Sequence, residues 1–393
     1  MEQGAIFVIN CGSSSLKFQV IDPESEEMLV GGVVEKLGTE EAFLRSGDQL
    51  SSLPDASHRG AIEAILPIVT PYMPLCRAIG HRVVHGGESL VDPVRVDSGV
   101  IDRVESYASL APLHNSHHAL GMRLMEEYFP DLPQVALFDT AFHSRLPDYA
   151  YLYAIPYEYY REHQIRRYGF HGLSHQYVSE QGADMVGIPL EDLHIISCHL
   201  GNGCSVTAIK GGVSIDTSMG MGPLEGLMMG HRSGDIDPTL FSYLSESCGL
   251  SLEEISDLLN HRSGILGVSG VSHDVRLVME AAEAGHRQAR LAIEIFCYRL
   301  AKYIAAYLVP LGKIDLLIFT GGIGENAAEI RSMTMRWLEG LKLRCDELRN
   351  GEMVRGRGGI ISPQGEYPLT AVIPTNEELL IAKEAARLIA ASP

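Results

Sequence analysis

The fold is decided by a stretch near the start of the chain, Ala5-Ile-Phe-Val-Ile-Asn-Cys-Gly-Ser-Ser-Ser-Leu-Lys-Phe-Gln-Val-Ile-Asp22. Ala5–Asn10 is apolar and rich in β-branched residues, whereas Leu16–Asp22 alternates apolar and polar side chains. Two such runs around the small-residue turn Gly12-Ser-Ser-Ser predict a pair of β-strands. A third strand is predicted over Met28–Val34, so the chain is expected to open with a β-sheet.

The same pattern returns about 190 residues later, a spacing that indicates an internal duplication. Strands are predicted over His194–His199, Ser205–Ile209 and Val213–Thr217, with Gly201-Asn-Gly as a turn whose glycines favour positive φ. This turn, His199-Leu-Gly-Asn-Gly-Cys-Ser, is similar to Asn10-Cys-Gly-Ser-Ser-Ser. The alternative interpretation is two unrelated hairpins, because Asn-Gly is also the favoured pair of a type I′ turn.

Helices are predicted between the strands. Strands that alternate with helices indicate an α/β fold. Pro374, then Thr375 as N-cap and Glu378 three residues on, predict a capping box before a last helix over Leu379–Ala391. We predict one domain from 1–146 plus 380–393 and a second from 147–379. The other predicted helices cover residues 102–109, 116–128, 173–186, 239–247, 251–260, 275–308 and 326–340.

Composition excludes several classes of protein. The 393 residues carry 31 Lys+Arg and 50 Asp+Glu, a formal charge of −19. So acidic a chain is not expected to bind nucleic acid or an anionic membrane surface. The seven cysteines are scattered without a C-x-x-C pair, which favours a reduced cytosolic protein, and the N-terminus lacks the basic region of a signal peptide.

A third glycine-rich stretch, Phe319-Thr-Gly-Gly-Ile-Gly-Glu-Asn, follows a predicted strand over Ile314–Ile318 and opens a helix. Glycines at such a turn suit a bound nucleotide. A dinucleotide-binding interpretation of Gly322-x-Gly324-x-x-Ala327 is rejected, because no second strand–helix unit with an acidic strand end follows. The chain also lacks a G-x-x-x-x-G-K-[ST] phosphate loop.

Four charged or titratable residues stand out as candidates. Arg82 and Arg232 lie in glycine-rich surroundings, and an arginine fork matches carboxylate and phosphate oxygens. Asp139 follows a predicted strand over Gln134–Phe138, and His171 is a candidate for charge stabilisation. Each arginine alone could equally be half of a structural ion pair. Zinc is disfavoured because no H-E-x-x-H occurs and no cysteines cluster with the histidines.

Together, several long motifs resemble the acetate and propionate kinase family over essentially the full chain. The motifs are Val8-Ile-Asn-Cys-Gly-Ser-Ser-Ser-Leu-Lys-Phe, His81-Arg-Val-Val-His-Gly-Gly, Ala111-Pro-Leu-His-Asn, Phe138-Asp-Thr-Ala-Phe-His, Arg166-Arg-Tyr-Gly-Phe-His-Gly, His199-Leu-Gly-Asn-Gly, Pro223-Leu-Glu-Gly-Leu-Met-Met-Gly, Arg232-Ser-Gly-Asp-Ile-Asp-Pro, Phe319-Thr-Gly-Gly-Ile-Gly-Glu-Asn and Pro374-Thr-Asn-Glu-Glu.

The resemblance implies an α/β fold of duplicated ribonuclease H-like (actin/Hsp70-like) domains with a nucleotide cleft between them. It implies reversible transfer of a phosphoryl group from ATP to acetate, giving ADP and acetyl phosphate, with Mg²⁺ and possible use of Mn²⁺. It further implies a cytoplasmic homodimer.

The resemblance also assigns roles by matching motifs. Catalytic roles fall on Asp139, His171, Arg232 and Arg82, and metal binding on Asn10 and Glu377, the latter left free if Glu378 caps the helix. Acetate and its methyl group are expected at Arg82, Val84, Leu113, His114, Phe170 and Pro223. The nucleotide is expected at Ser13, Ser15, Lys17, His199, Leu200, Gly201, Asn202, Gly203, Asp274, Val275, Arg276, Gly322, Ile323, Gly324, Glu325 and Asn326.

The chain departs from the family pattern at Ser116, Leu173, Gly222 and His231, where the family usually has Pro or Thr. None of these removes a group assigned to the chemistry, but His231 adjoins Arg232. Cys11, beside Asn10, is a small packing residue or, if exposed, an oxidation-sensitive thiol.

Three other functions compete with acetate phosphorylation. A propionate kinase would differ only in chain-length preference. A nucleotide-driven chaperone or filament protein of the same fold group would hydrolyse ATP without needing an acid. A sugar or polyol kinase would need a carboxylate base, for which Asp139 is available, but would have little use for two arginines.

Overall fold

The structure is a computed structural model that describes residues 4–111 and 114–391. The chain forms two compact units. The first is drawn from residues 1–144 and 376–393, and the second from residues 145–375. The predicted domains, 1–146 with 380–393 and 147–379, place both domain boundaries a few residues further along the chain.

The described residues contain fourteen β-strands and sixteen α-helices. In chain order, β1–β14 are Ala5–Cys11, Ser15–Asp22, Glu27–Glu35, Phe43–Ser46, Gln49–Ser52, Cys76–Val83, Val94–Arg95, Gln134–Phe138, His194–Leu200, Cys204–Lys210, Val213–Thr217, Leu316–Thr320, Gly359–Ile360 and Leu369–Val372. In the same order, α1–α16 are His58–Val69, Ser98–Ser106, Asn115–Tyr128, Asp148–Tyr151, Glu158–His163, Gly172–Val186, Thr239–Cys248, Leu252–His261, Gly264–Ser269, Val275–Glu283, Arg287–Ala306, Leu308–Leu311, Gly321–Asn326, Ala328–Trp337, Glu347–Glu352 and Glu377–Ala391.

The first unit is built on an eight-stranded sheet in the order β5-β4-β3-β2-β1-β6-β8-β7. β1, β2 and β3 form an antiparallel meander, and β6 and β8 continue the sheet parallel to β1. A core lies where α1 and α3 cover the sheet, and it includes the buried side chains of Phe7, Phe18, Ile62, Ile65 and Met125. The sheet therefore has a buried interior and a set of parallel strands that end at one edge.

The second unit is built on a six-stranded sheet in the order β11-β10-β9-β12-β14-β13. β9, β10 and β11 form an antiparallel meander, and β12 and β14 continue the sheet parallel to β9. α6 packs against β9 and β12, and α13 packs against β9. Both faces of β12 are buried, as its continuous apolar sequence Leu316–Phe319 requires.

The two sheets share one pattern, which confirms the predicted duplication. In each, the first strand of a meander is followed outward by two parallel strands: β3-β2-β1-β6-β8 in the first unit and β11-β10-β9-β12-β14 in the second. β1 and β9 are equivalent in this pattern. The turns after them, which the sequence relates by their residues, therefore stand at equivalent places.

The hairpin strands were predicted to within two residues, but one helix prediction is wrong. Residues 275–308 form two helices rather than one, α10 and α11, and end at the first residue of α12. The first break follows from Gly285, whose φ is 94°, and from His286, whose side chain accepts the N–H of Ala289 as the N-cap of α11. Gly285 and His286 outweigh the helix-favouring residues on either side.

The predicted capping box of the last helix is also wrong. The side chain of Asn376, not that of Thr375, accepts the N–H of Leu379 and caps α16. The Thr375 hydroxyl accepts instead from Ser174 at 2.9 Å. Glu378 does not turn back to the N-cap, because its carboxylate pairs with Lys17 at 2.6 Å.

The side chain of Cys11 tests the hypothesis of an oxidation-sensitive thiol. Cys11 is buried, its Sγ would lie 2.6 Å from a Cβ added at Gly121, and burial raises the pKa of its thiol to about 12. The hypothesis of an exposed reactive thiolate at Cys11 is therefore wrong, and its packing role is confirmed.

Among the described residues, no helix is both long and apolar enough to cross a membrane.

Candidate active site

A charged cluster lies where two parallel strands of the first unit end. Arg82 is the penultimate residue of β6, and Asp139 directly follows β8. Because these strands are parallel neighbours, both side chains emerge at the same edge of the sheet. Arg82 donates from Nε to Asp139 Oδ1 at 2.9 Å and from Nη2 to Oδ2 at 2.7 Å. This two-point contact fixes the plane of the guanidinium.

The first turn of α16 adds two carboxylates to this cluster. Glu377 was predicted to be free, but its Oε2 lies 3.3 Å from Arg82 Nη1, so the two residues form an ion pair. Glu378 Oε1 lies 2.6 Å from Lys17 Nζ. We call Asp139, Glu377 and Glu378 the carboxylate cluster. Its three acidic groups face two cations, so the group as a whole carries excess negative charge.

Burial and the neighbouring charges shift the pKa values in this cluster. Burial opposes the charge on Arg82, but Asp139 and Glu377 outweigh it and raise the pKa of Arg82. Burial also raises the pKa of Glu377 to about 7, with Asp139 and Glu378 acting in the same direction and Arg82 against it. The atoms that the carboxylate cluster could offer to a metal ion are oxygens. A hard divalent cation would stabilise the charged form of a carboxylate that lies among like charges.

The first glycine–serine turn stands beside this edge. Asn10 pairs with Lys17 across β1 and β2, so both side chains belong to the strand ends that flank the turn. Ser13 is exposed and Ser15 is half-buried. The backbone is held from outside by His58, whose Nε2 donates to the Gly12 carbonyl at 2.7 Å. The turn is thus fixed while its hydroxyl groups remain available.

Besides Arg82, two of the residues expected around acetate are described in the first unit. Val84 directly follows β6 and is half-buried, and His114 precedes α3 with its ring 6.4 Å from that of His118. Burial, followed by His114 and Arg82, lowers the pKa of His118 well below its ordinary value. Leu113, expected in the same pocket, lies outside the described residues.

In the second unit, His171 is held in an uncommon backbone conformation just before α6. Its φ of 57° is left-handed, which is costly for a residue with a Cβ and is typical of functional sites. Its Nδ1 lies 2.9 Å from Ser205 Oγ, and its ring stacks on that of His199 with centroids 4.2 Å apart. These contacts fix the direction in which the His171 ring points.

The second turn needs its glycine for space rather than for positive φ. Two reasons were predicted for these glycines, positive φ and room for a ligand, and the first is wrong because neither Gly201 nor Gly203 has a positive φ. A Cβ at Gly203 would instead lie 3.3 Å from His171 Nε2 and 3.4 Å from Arg232 Nη1. The bare backbone therefore leaves room for a ligand beside both side chains.

Arg232 has surroundings that differ from those of Arg82. Its Nη1 donates to the Pro223 carbonyl at 3.2 Å. Within the described part of the second unit, no carboxylate forms an ion pair with it. Burial lowers the pKa of Arg232. Pro223 itself is half-buried and Phe170 is buried.

Asn202, in the middle of the second turn, is tied to the segment that carries Arg232. Its backbone carbonyl accepts from Gly230 at 3.2 Å, and its Nδ2 lies 3.1 Å from His231 Nε2. The other ring nitrogen, Nδ1, donates to the Asn260 carbonyl at 2.6 Å, so neutral His231 presents a bare Nε2 to the Asn202 amide. His231 thus orients Asn202.

A cavity of about 650 Å³ opens beside this turn. It is large enough for a nucleoside. Eight of the residues predicted to bind nucleotide line it: Gly201, Asn202, Asp274, Val275, Arg276, Gly322, Ile323 and Asn326. Asp274 caps α10 by accepting the N–H of Arg276, and it also holds the Arg276 side chain through two hydrogen bonds.

Five residues of the second unit that were predicted to bind nucleotide do not line this cavity: His199, Leu200, Gly203, Gly324 and Glu325. Glu325 has a different task, because its Oε1 accepts the backbone N–H groups of Gly321 and Thr375. Gly321 has a φ of 75°, and a Cβ there would lie 2.8 Å from the Leu200 carbonyl oxygen. Glu325 and Gly321 therefore shape the turn that begins α13.

The cavity also has six lining residues that the sequence analysis missed: His273, Met279, Glu280, Glu283, Ala327 and Glu329. Arg276, Met279, Glu280 and Glu283 share one face of α10, with the i, i+3, i+4, i+7 spacing that was available as a signal. The remaining members come from loops and neighbouring helices, which no local pattern places.

The fold and these features define a class of protein. The chain combines duplicated α/β units, glycine turns at equivalent strand ends and a nucleoside-sized cavity with one arginine at a strand end and another beside the second turn. These features describe a nucleotide-dependent phosphotransferase with an anionic acceptor.

The comparisons give the particular family. The acetokinase family matches residues 5–383, and the chain belongs to this family. An acetate kinase of Shewanella baltica is 48% identical and covers 99% of this chain and 100% of its own length. The crystal structure of Porphyromonas gingivalis acetate kinase matches with a TM-score of 0.93 at 39% identity, covering 98% of this chain and 100% of that one. A propionate kinase from Francisella tularensis matches with a TM-score of 0.92 at 43% identity, covering 97% and 98%.

Proposed function

We propose that this chain transfers the γ-phosphoryl group of ATP reversibly to acetate, giving acetyl phosphate and ADP. The observation that carries the proposal is the two-point contact between Arg82 and Asp139, since it holds a guanidinium rigidly at a sheet edge. A fixed fork of this kind binds an anionic acceptor at little entropic cost. The name of the Shewanella baltica relative, acetate kinase, supports acetate as that acceptor.

Asp139 serves in this proposal to hold Arg82 and not to accept a proton. Acetate is already ionised, so the attacking oxygen needs no general base. Arg82 binds the acetate carboxylate or the phosphoryl group in transfer, with His114 nearby. Of the described residues, Val84 in the first unit and Phe170 and Pro223 in the second are assigned to the methyl group.

Arg232 and His171 stabilise the negative charge that spreads over the phosphoryl group in the transition state. This role is supported by their positions beside Gly203, where the backbone leaves room for a ligand. Phosphoryl transfer depends on position and charge neutralisation more than on covalent chemistry. Arg232 is suited to this, because no carboxylate of its own unit neutralises it in the described residues.

The nucleotide is bound by the two related turns and by the cavity. Ser13, Ser15 and Lys17 contact phosphate in the first unit. In the second unit the phosphates lie at the turn, and the adenosine occupies the cavity. The turn residues are His199, Leu200, Gly201, Asn202 and Gly203, and the adenosine residues are Asp274, Val275, Arg276, Gly322, Ile323, Gly324, Glu325 and Asn326.

Asn10 and Glu377 would hold Mg²⁺, or Mn²⁺ in its place. The fit is supported by the all-oxygen donor set and by the excess negative charge of the carboxylate cluster. When bound, the ion neutralises phosphate charge and orients the triphosphate. Glu377 is already directed by its contact with Arg82, so one side chain links the two binding functions.

The transfer is direct, with no phosphorylated enzyme between the two substrates. The chain acts as a cytoplasmic homodimer without a nucleic-acid or membrane partner. A rapid-quench reaction with labelled ATP tests the first point, because a phosphoprotein that forms and decays as fast as turnover would contradict it. Sedimentation at several concentrations tests the second.

The experiment that tests the function is a hydroxamate assay for acyl phosphate with MgATP across formate, acetate, propionate and butyrate, with ADP release followed in parallel. We expect acetate to rank first. A product that does not depend on the acid would contradict the proposal and favour a chaperone-like or filament ATPase. Glycerol or a hexose replacing the acid would favour a polyol kinase.

The second candidate function is propionate phosphorylation, which the Francisella tularensis neighbour favours by its name. The two functions differ by one methylene, worth about 1–3 kcal/mol in a tight pocket. Val84→Ala is expected to shift the preference toward propionate. If propionate already ranks first in the parent protein, the second candidate is the correct one.

A further inference from the structure

A chain of buried hydrogen bonds leads away from His171 into the second unit. His171 Nδ1 lies 2.9 Å from Ser205 Oγ, and the same hydroxyl lies 2.8 Å from His175 Nε2. The other nitrogen of that ring, Nδ1, lies 2.9 Å from Ser197 Oγ. We call Ser205, His175 and Ser197 the relay.

Three elements supply the relay in a fixed geometry. His171 precedes α6 and His175 lies four residues on, so the two side chains lie on one face of the helix. Ser197 belongs to β9, on which α6 packs, and Ser205 belongs to the antiparallel neighbour β10, which His175 reaches through its hydrogen bond. Ser205, His175 and Ser197 each have 0% of their surface exposed, so water cannot replace these contacts.

The relay constrains the proton positions. A serine hydroxyl has one hydrogen, so if Ser205 donates to one ring it must accept from the other. Phosphate oxygens only accept, so His171 must carry its proton on Nε2 to stabilise the transferred group. Neutral His171 then has a bare Nδ1, which requires Ser205 to donate to it and to accept from His175 Nε2. His175 Nδ1 in turn accepts from Ser197.

We propose that Ser205, His175 and Ser197 are positioning residues that hold His171 with its proton on Nε2, directed at the transferred phosphoryl group. The inference rests on the role of His171 in the proposed function. The three hydrogen bonds of the relay then run in the same direction as the one that His171 Nε2 would donate to the phosphoryl group, and such chains strengthen one another in a buried environment. The hydrogen bonds of the relay also offset the strain of the His171 backbone, whose φ of 57° is costly for a residue with a Cβ.

The test is Ser205→Ala in the full-length protein, with Ser205→Thr as the variant that keeps the hydroxyl. By analogy with groups that orient metal ligands, we expect Ser205→Ala to lower kcat about 10–100-fold. The KM values for ATP and acetate should change less than about twofold, and Ser205→Thr should recover most of the lost kcat. Thr207→Val is the matched control, because Thr207 lies on the same strand as Ser205 and loses a buried hydroxyl that bonds Thr217 of β11; it should leave kcat unchanged.

A second readout separates positioning from simple structural support. Imidazole ¹⁵N shifts should place the His171 proton on Nε2 in the parent and show a mixture of tautomers in Ser205→Ala, whose circular dichroism spectrum should be that of the folded parent. If His171→Ala itself leaves kcat near the parent value, the proposed role of His171 fails. If His171→Ala is inactive but Ser205→Ala has the parent kcat and tautomer, the relay inference alone fails.

Discussion

Arg82 and Arg232 are the same chemical group in two different environments. Arg82 is held by two hydrogen bonds to the buried Asp139 and lies 3.3 Å from Glu377. Arg232 donates to the carbonyl of Pro223, and in the described part of its unit no carboxylate pairs with it. The neighbouring carboxylates raise the pKa of Arg82 against the effect of burial, whereas burial lowers that of Arg232.

The difference separates two properties that an active-site arginine can supply. The charge of Arg82 is already balanced, so what it offers a ligand is position. The charge of Arg232 is not balanced in its own unit, so Arg232 offers attraction to an anion. Burying an unpaired charge costs stability, and only a bound anion would fully compensate that cost. We therefore expect the two arginines to respond differently to the same substitution.

The largest expected effect is on turnover. Arg232→Gln removes a preorganised charge at the transferred group and should lower kcat about 10²–10³-fold. Arg82→Gln should cost a similar factor, because the fork that positions the anion is lost. Steady-state rates with saturating MgATP and acetate measure both. Near-normal turnover in either variant would remove that arginine from the proposed site.

Stability should distinguish the two variants where turnover does not. Arg82→Gln leaves the buried Asp139 and Glu377 without their cation, which should lower the free energy of unfolding by about 3–5 kcal/mol. Arg232→Gln strands no carboxylate of its unit and should change it by less than about 1 kcal/mol. Urea unfolding of the two proteins makes the comparison. Equal losses would show that the environments are not as different as described.

The buried His81, which precedes Arg82, predicts that the free energy of unfolding falls in acid. His81 is 3% exposed, and burial lowers its pKa to about 4, opposed by its hydrogen bond to Gln134. Because the folded value lies below the ordinary value of 6.5, the neutral ring contributes stability above pH 6.5 that is lost as the pH falls toward 4.

That loss should amount to about 3 kcal/mol for His81. The measurement is the free energy of unfolding at pH 7, 6, 5 and 4.5 in the parent and in His81→Gln, which keeps a hydrogen-bonding group but does not titrate. The variant should lose less stability with acid than the parent. Parallel curves for the two proteins would contradict the assignment.

The smallest expected effect concerns His231. Its Nε2 faces the Asn202 amide at 3.1 Å, in an exposed contact that only orients a side chain proposed to bind phosphate. His231→Thr should raise the KM for ATP about 2–10-fold, the value of one hydrogen bond, with kcat little changed. His261→Gln, which changes a ring near His231 but not the contact with Asn202, is the control. A change in kcat with constant KM would contradict this role.

Local patterns predicted the sheets well. The strands beginning at Ala5 and His194 follow from apolar alternation and small-residue turns, and their similarity predicted the duplication that both sheets show. The edge position of Asp139 also followed from the strand before it. In each case the physical cause lies within a few consecutive residues, where sequence patterns are informative.

The errors arose where distant residues compete for a group. Thr375 did not cap α16 because Ser174 uses its hydroxyl and Glu325 its N–H, and Glu378 pairs with Lys17. The residues of the relay were missed for the same reason, since Ser205 meets His171 only after α6 packs on β10. Glycine showed the opposite case, because Gly203 is required by the side chains around it and not by its own backbone angles.

The most direct test of the central claim is ³¹P NMR of the purified protein with MgATP and acetate. The account predicts that ADP and acetyl phosphate appear in equal amounts, only when acetate is present, and that a folded Arg232→Gln protein forms both far more slowly. Release of inorganic phosphate at the same rate with and without acetate, and no acetyl phosphate, would contradict it.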